Sequence, residues 1–432
     1  MVEIALLSLL VLVLTLTIGV PLPFCFGAAL MVMSVVGGVT MKGAMVWGFG
    51  QLANPILLAI PLFILAGTLM SISGLAASLL RLVNIFIGHV RGGLGVVATL
   101  SCALIGAISG SGLTGVAAIG PLLIPEMVQQ GYPRGYSSAL VACSSVLGLL
   151  IPPSVTMIVF GWVTDTSILA AFLATLGPGL MIMLNLSVVN LVMARKFDLK
   201  LDAKPDFSTL VSETRRRTVH AFPALLMPFI ILGGIYGGVL TPTEAAAVAV
   251  IYALPVGFWI YKGLTWRSLL DAGKESATAV GAIMFMILFS LILSQMFVLE
   301  SIPQKLVNVI FELTNDKFLI LLLVNALLFI VGMIVNDVTA IILIAPLLMP
   351  LMKAIGVDPI HFAAIIGVNT ALGGITPPYA SILYMGARVG GARVVEVVGP
   401  ALKFLLFAFL PTVLLTTYWP ELSLFFPRLF GY

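Results

Sequence analysis

Long runs without a charged residue constrain the fold of this chain more than any other feature. Three of them cover residues 4–36, 92–125 and 135–164. A membrane-spanning helix needs about 20 apolar residues, so each run is longer than a single span. Because 61% of all residues are hydrophobic and only 9% are charged, a soluble fold could not bury this much apolar surface. The sequence therefore predicts an all-α, polytopic membrane protein.

The chemistry-bearing residues disfavour several other classes of protein. The three cysteines lie inside apolar runs without a CxxC pair, and the three histidines are far apart, so neither a disulfide framework nor a zinc site is expected. The net charge is +4, but basic residues are spread between apolar runs, which disfavours a nucleic-acid partner. Neither an HExxH nor a GxSxG motif occurs, so we expect no enzymatic activity.

Apolar segments along the chain predict 11–12 membrane-embedded helices, some of them half-length. The run at 4–36 is read as two helices without signal-peptide cleavage, because it is too long for a signal peptide and lacks a positive start. A segment at 40–51 has the Lys and Trp content of the membrane interface. Further helices are expected at 55–72, 74–88, 167–194, 219–238, 243–260, 275–298, 318–335, 338–353, 359–375 and 396–418.

One sizeable polar segment divides the chain into two halves. Residues 195–217 contain seven basic and four acidic residues, and the positive-inside rule places such a short loop in the cytoplasm. We therefore expect a first half at 1–194, a basic cytoplasmic connector at 195–218 and a second half at 219–432.

The second half repeats part of the first at an offset of 225 residues. Residues 119–154 and 344–379 share 12 identities in 36 positions without a gap. Apolar bias does not readily explain the four prolines and two glycines that match: Pro121, Pro125, Gly131, Gly148, Pro152 and Pro153 align with Pro346, Pro350, Gly356, Gly373, Pro377 and Pro378. Inverted repeats with substrate sites between them are typical of secondary transporters.

Two pairs of interruptions fall at corresponding places in the repeats. Polar residues at 109–112 and 335–338 interrupt apolar runs near their middles, which predicts two re-entrant hairpins whose tips are buried or line a watery cavity. Double prolines at 151–154 and 376–378 predict two broken helices. The carbonyl groups and helix C-termini freed by a break suit Na⁺, whereas helix N-termini suit an anionic substrate.

Polar residues at these interruptions are the candidate functional residues. Asp337 is the only formal charge between Lys317 and Lys353, and a carboxylate at mid-membrane needs a partner. It could be a cation ligand, a proton-linked group or a hairpin cap. Ser109 and Ser111 could be functional or simply pack helices together.

Other polar residues lie close to the two helix breaks. Ser144 and Ser145 precede the first break, and Asn369 and Thr370 take the corresponding places before the second. Arg388 follows the second break, where it could meet an anionic substrate or lie at the membrane boundary.

Several of these segments together resemble one family, the large membrane subunit of tripartite ATP-independent periplasmic (TRAP) transporters. The resemblance covers nearly the whole chain and rests on the order and spacing of its motifs. These motifs are Leu57–Gly67, Gly88–Leu94, Ser109–Ser111, Ala118–Gly120, Ile151–Ser154, Thr241–Ala247 and Thr376–Pro378.

The resemblance implies a Na⁺-driven importer of organic acids, commonly dicarboxylates or sialic acids, in a bacterial or archaeal cytoplasmic (inner) membrane. It implies a periplasmic substrate-binding protein that delivers the anionic substrate and a small four-helix membrane subunit, expected as a separate chain. The implied fold is of the elevator type, with two hairpins and two broken helices in a mobile transport domain.

The resemblance also implies site residues, with Na⁺ between each hairpin tip and its helix break. The expected Na⁺-binding residues are Ser109, Gly110, Ser111, Ile151, Pro152, Asn336, Asp337, Thr376 and Pro377. The positions beside the helix breaks, rather than the resemblance, give the expected substrate-binding residues, which are Ser144, Ser145, Ser154, Asn369, Thr370, Tyr379 and Arg388. The chain departs from the family pattern at Gly112–Gly115, Asn336 and Tyr379–Ala380, so the substrate class stays open.

Two other functions stay open beside that of a TRAP transporter, and experiments can distinguish them. A binding-protein-independent organic-anion transporter or exchanger of the related ion-transporter superfamily would transport without delivery. A purely structural membrane subunit would not need paired polar interruptions at mid-membrane.

Overall fold

The computed structural model describes residues 2–200 and 207–432 as an assembly of helices. A 3-10 turn, Pro55–Leu58, precedes α4, and π-helical turns at Val256–Ile260 and Leu405–Phe409 extend α13 and α20. The α-helices are α1 (Val2–Thr17), α2 (Leu22–Val35), α3 (Met41–Leu52), α4 (Ala59–Ser73), α5 (Leu75–Ile87), α6 (Gly93–Ser109), α7 (Gly112–Gln130), α8 (Arg134–Ser145), α9 (Leu147–Leu150), α10 (Val155–Thr164), α11 (Ile168–Ala194), α12 (Phe207–Tyr236), α13 (Pro242–Pro255), α14 (Trp266–Leu299), α15 (Ile302–Leu313), α16 (Lys317–Ile334), α17 (Asp337–Ala354), α18 (Pro359–Gly373), α19 (Ser381–Gly390), α20 (Val394–Phe404), α21 (Leu410–Tyr418) and α22 (Glu421–Leu429).

The length and polarity of these helices confirm a polytopic membrane protein. Among the described residues, ten helices are long and apolar enough to cross a bilayer, and five shorter apolar helices accompany them. Large apolar side chains such as Phe229 and Trp259 are about three-quarters exposed. Such exposure is unfavourable in water but favourable in a hydrocarbon layer.

The first hairpin, α6 and α7, enters and leaves on the same side of the molecule. Arg91, just before α6, donates a hydrogen bond to the carbonyl oxygen of Phe197 (2.6 Å). The backbone N–H of Lys200 donates to the carbonyl oxygen of Gln130, the last residue of α7 (2.9 Å). Both ends of the hairpin therefore lie beside the basic connector, on the side that the positive-inside rule assigns to the cytoplasm.

The second hairpin, α16 and α17, has the same construction. Lys317 begins α16, and its Nζ donates to the carbonyl oxygen of Gly356, shortly after α17 ends (3.2 Å). The turn between the two helices consists of Val335 and Asn336. Both ends of this hairpin therefore also meet on one side.

Each hairpin is followed by a helix that is interrupted near its middle. The first broken helix comprises α8, α9 and α10, interrupted at 151–154, and the second comprises α18 and α19, interrupted at 374–380. The Pro152–Pro153 and Pro377–Pro378 peptide bonds are both cis.

Contacts between the repeats show that they run in opposite directions. Arg134 begins α8 at the base of the first hairpin, and its Nη1 donates to the carbonyl oxygen of Gly390, at the end of α19 (3.3 Å). At the other side, Phe160 of α10 and Phe362 of α18 pack with ring centroids 5.9 Å apart. The last helix of each broken helix thus ends beside the base of the hairpin in the other repeat. The two repeats therefore have opposite orientations, which confirms inverted repeats.

Helices from both halves pack around these repeats. α4 packs against α13 and α14, α5 against α12, and α2 and α3 against α14. α4 also reaches the first hairpin, because Gly67 lies so close to Ser109 that a Cβ on Gly67 would be 2.6 Å from the Ser109 Cβ. The tip of the first hairpin therefore rests against a surrounding helix.

Some element boundaries differ from the sequence-based expectations. α12 begins at Phe207, so much of the expected connector at 195–218 is helical, while its residues 201–206 lie outside the described part. α15 and α22 were not expected. α15 is short and amphipathic, and α22 follows the last expected span and packs on α11.

Candidate functional site

Both hairpin tips lie at one small, partly open cavity, and residues at or next to both helix breaks complete its wall. Its volume is about 80 Å³. The first tip contributes Gly110, Ser111, Gly112 and Leu113, and the second contributes Val335, Asn336, Asp337 and Val338. The remaining wall is formed by Ile64, Leu149, Val155, Ile283, Gly374, Tyr379, Ser381 and Ile382.

The tip of the first hairpin rests directly on the first helix break. Gly110 has a φ of 62°, a left-handed conformation that glycine adopts without strain. Its carbonyl oxygen accepts a hydrogen bond from the backbone N–H of Val155 (3.4 Å). A Cβ on Gly110 would lie 2.8 Å from the carbonyl oxygen of Pro153, so this close approach also needs glycine.

The tip of the second hairpin carries the charged group of the cavity. The side chain of Asn336 caps α17, because its Oδ1 accepts a hydrogen bond from the backbone N–H of Val338 (3.1 Å). Asp337 is the first residue of α17 and is half-buried. A carboxylate in the first turn of a helix is stabilised by the helix dipole. The backbone N–H of Tyr379 donates to the carbonyl oxygen of Met333 (3.1 Å), so this tip also rests on its break.

Four helices begin at the cavity wall. Their first residues are Gly112 of α7, Val155 of α10, Asp337 of α17 and Ser381 of α19. The unpaired N–H groups at helix N-termini attract anions. These four N-termini come from both hairpins and both broken helices, and each presents backbone N–H groups that a carboxylate ligand would complement.

Helix C-termini reach the same cavity from the other side of each interruption. α6 ends next to Gly110, α9 ends next to Leu149, α16 ends next to Val335 and α18 ends next to Gly374. Carbonyl oxygens at such ends and the Asp337 carboxylate are hard oxygen ligands of the kind that alkali and alkaline-earth cations prefer. Among the described residues, no group of three His, Cys, Asp or Glu side chains could hold a metal ion.

The sequence matches a known family over almost its entire length. Residues 9–422 match the family described as Tripartite ATP-independent periplasmic transporter, DctM component. The chain belongs to this family. As a DctM component it is a multi-pass protein of the bacterial inner membrane.

Named relatives support the assignment along nearly the same length. The chain is 37% identical to the C4-dicarboxylate TRAP transporter large permease protein DctM of Pseudomonas aeruginosa, over 87% of each chain. It is 33% identical to the sialic acid TRAP transporter large permease protein SiaM of Vibrio cholerae, over 89% of each. It is 34% identical to the isethionate TRAP transporter permease protein DctMQ of Oleidesulfovibrio alaskensis, over 92% of this chain but only 62% of that protein. All three are named as permeases, not as enzymes.

Solved structures share the fold of this DctM component. The YdaH transporter of Alcanivorax borkumensis aligns with a TM-score of 0.61 at 17% identity, over 87% of each chain. MtrF of Neisseria gonorrhoeae aligns with a TM-score of 0.56 at 15% identity, over 88% of this chain and 83% of that one. At these identities the likeness concerns the fold alone.

The Na⁺-binding residues predicted for this DctM component lie at or beside the cavity. Gly110, Ser111, Asn336 and Asp337 line it. Ser109 is buried directly behind the first tip, with its hydroxyl 3.4 Å from the carbonyl oxygen of Ser111. The remaining predicted residues, Ile151, Pro152, Thr376 and Pro377, belong to the helix breaks but not to the cavity wall.

Of the predicted substrate-binding residues, only Tyr379 lines the cavity. Its side chain interacts with that of Asn336 and lies near Asp337. Arg388 is exposed near the end of α19. The remaining five are buried and hydrogen-bonded within the fold: Ser144 to Thr99, Ser145 to Val141, Ser154 to Leu149, Asn369 to Asn325 and Thr370 to Ile366.

Sequence reasoning missed several residues of the cavity wall. Ile64 of α4 and Ile283 of α14 come from the surrounding helices, and nothing distinguishes them from other apolar residues in the sequence. Ser381 had a detectable signal, because it aligns with Thr156 at the offset of 225 and both follow a helix break. Thr156 is buried and hydrogen-bonded to Ser154 (2.7 Å).

Proposed function

We propose that this DctM component is the transport subunit of a TRAP system that couples Na⁺ entry to the import of an organic acid. The observation that supports this most directly is the meeting of helix N-termini, helix C-termini and Asp337 at one small cavity. Such a site offers oxygen ligands to a cation and positive helix ends to a carboxylate within the same small space.

Coupling follows from this shared location. Na⁺ beside Asp337 neutralises the carboxylate, which would otherwise repel an anionic cargo across a short distance of low dielectric. An organic acid then binds against the helix N-termini. Each Na⁺ that enters gains about 2.3 kcal/mol per 100 mV of membrane potential, so two or more drive accumulation of an anion.

The size of the cavity indicates that the tips must move during transport. At about 80 Å³ it is well below the ~300 Å³ or more of typical small-molecule sites. The hairpin tips therefore open to admit the organic acid. We expect the unit of hairpins and broken helices to move against the surrounding helices, in the manner of an elevator.

Membership of the family supports a proposal for the partners and the cargo. A periplasmic binding protein delivers the organic acid, and a small four-helix membrane subunit supports this chain. Relatives are named for C4-dicarboxylates, sialic acid and isethionate, so these three are the first candidates for the cargo.

Uptake by proteoliposomes tests the proposal. Vesicles would hold this chain and its small subunit, with each radiolabelled candidate supplied free or on its binding protein. Accumulation should require both an inward Na⁺ gradient and the loaded binding protein, and K⁺ should not replace Na⁺. Uptake without Na⁺ would refute the coupling. Uptake of the free acid by this chain alone would instead identify a binding-protein-independent carrier.

A further inference from the structure

A second and larger cleft lies at the cytoplasmic side, away from the hairpin tips. It has a volume of about 950 Å³ and is formed by α8, α11 and α20. Its wall includes Val188 and Val192 of α11 and Pro400 and Phe407 of the α20 region. Val188, Val192 and Phe407 are each about half exposed, so the cleft opens toward the bilayer. The transport scheme uses none of these residues.

Four charged residues line this apolar cleft, and three of them are basic. Arg134 donates a hydrogen bond from Nη1 to the carbonyl oxygen of Gly390 (3.3 Å). Glu396 forms a salt bridge (2.6 Å) with Arg393, which lies outside the cleft wall. Lys196 and Lys403 are exposed and have no hydrogen-bonding or ionic side-chain partner within residues 2–200 and 207–432. Two ammonium groups are therefore available at the cleft.

The position of Lys403 favours an anion close to its ammonium group. It lies nine residues after Val394, the start of α20 at the cytoplasmic side, and thus roughly 13 Å along the helix. Its neighbours Leu402, Leu406 and Phe407 are 50%, 50% and 59% exposed, which marks this face as lipid-facing. An ammonium group among lipid-facing residues must extend to the interface or pair with an anion.

We infer that the cleft binds an anionic phospholipid of the cytoplasmic leaflet. The acyl chains lie against the apolar wall, and the phosphate lies between Lys196 and Lys403. A free anion would leave the apolar wall uncovered, and an apolar helix of a partner would bury both ammonium groups without a counter-charge, which is costly. A phospholipid covers the apolar wall with its acyl chains and pairs its phosphate with both ammonium groups. Basic pockets between membrane helices of other proteins bind anionic lipids in this way.

Native mass spectrometry of the full chain in detergent tests this inference. Phosphatidylglycerol would be titrated against phosphatidylcholine of identical acyl chains, and we expect retention of the first. Each juxtamembrane cation contributes roughly fivefold to binding of anionic lipid. The double variant Lys196→Gln/Lys403→Gln should therefore bind phosphatidylglycerol about 25-fold more weakly.

Three further variants separate lipid binding from general effects. Arg215→Gln/Arg267→Gln removes two exposed basic residues outside the cleft and should leave binding unchanged. Lys196→Arg/Lys403→Arg keeps both charges and should retain binding. Val192→Trp fills the cleft while keeping the charges, and it should weaken binding although this exposed position tolerates a large side chain.

Three results would overturn the inference. One is equal retention of phosphatidylcholine and phosphatidylglycerol. Another is displacement of the lipid by glycerol 3-phosphate, which would show that the apolar wall is not used. The third is a photo-crosslinking residue at Val188 that traps the small subunit in native membranes, which would show that protein covers the cleft.

Discussion

The backbones of Gly332 and Gly373 are in direct contact, so that a Cβ on Gly373 would overlap the carbonyl oxygen of Gly332. Gly332 is near the end of the first helix of the second hairpin, and Gly373 ends α18 just before the helix break. The first repeat has the same kind of contact between Gly106 and Gly148. In both repeats, glycine allows the hairpin to reach its broken helix.

Alanine at this contact should therefore destabilise the fold. We expect Gly373→Ala to lower stability by about 1–3 kcal/mol, because overpacking forces the backbone apart, and to lower the melting temperature of the purified protein. Gly281→Ala is the matched control, since Gly281 is in α14 with open space around its Cα, and it should be neutral or slightly stabilising. A Gly373→Ala protein that melts like wild type would contradict the contact.

The Asp337 carboxylate should determine Na⁺ affinity. Asp337→Asn keeps the size of the side chain but removes the charge, and we expect Na⁺ to bind at least about tenfold more weakly, or ~1.4 kcal/mol. The measurement is the Na⁺ concentration that half-maximally raises the melting temperature, with K⁺ as reference. Asp271→Asn, a change at an exposed carboxylate of α14, should have no effect. Unchanged Na⁺ dependence in Asp337→Asn would remove this residue from the ion site.

Two helix caps on the second hairpin separate a structural effect from an ion-binding one. Asn336 caps α17 at the tip and Asp316 caps α16 at the base, each by accepting a backbone N–H two residues later (3.1 and 2.9 Å). Asn336→Ala and Asp316→Ala should each cost about 1 kcal/mol of stability. Only Asn336→Ala should also weaken Na⁺ binding. An equal effect of both variants on Na⁺ would mean that capping alone accounts for it.

The predicted substrate residue Asn369 belongs to a buried hydrogen-bond network. Its Nδ2 donates to Oδ1 of Asn325 (2.7 Å), which also accepts from the Thr417 hydroxyl (3.1 Å). Asn325→Leu should lower stability by about 1–3 kcal/mol, because Asn369 Nδ2 and the Thr417 hydroxyl lose this acceptor and keep only the carbonyl oxygens of Ile365 and Val413. If the network is purely structural, Asn369→Ala should lower the melting temperature and leave the transport KM unchanged. A changed KM at an unchanged melting temperature would support the substrate role.

Much of this architecture could be predicted because the interior of a membrane disfavours charged side chains and backbone groups without hydrogen-bond partners. Charge-free runs locate the helices, and a polar residue within such a run is conspicuous, which is why both hairpin tips were found. Proline breaks a helix wherever it lacks compensation, so the double prolines located both breaks. The match at an offset of 225 residues then paired the tip and the break of the first repeat with those of the second.

The remaining features depend on contacts that leave little local signal. Ile64 and Ile283 reach the cavity only through the packing of α4 and α14, and any apolar residue would look the same in the sequence. Serine and threonine side chains in membrane helices commonly bond to their own helix backbone, as Ser145 and Thr370 do. Their polarity therefore did not indicate whether they line the cavity.

The opposite orientation of the two repeats also affects how the chain enters the membrane. The residues that the two copies share cannot orient both of them, because a signal that orients one copy would misorient the other. The choice then falls to residues outside the duplication, and the cationic segment between the halves, with seven basic residues at 195–217, is the strongest such signal. During biosynthesis this segment would act as the topological anchor, retained on the ribosome's side while the helices on either side of it are threaded into the bilayer.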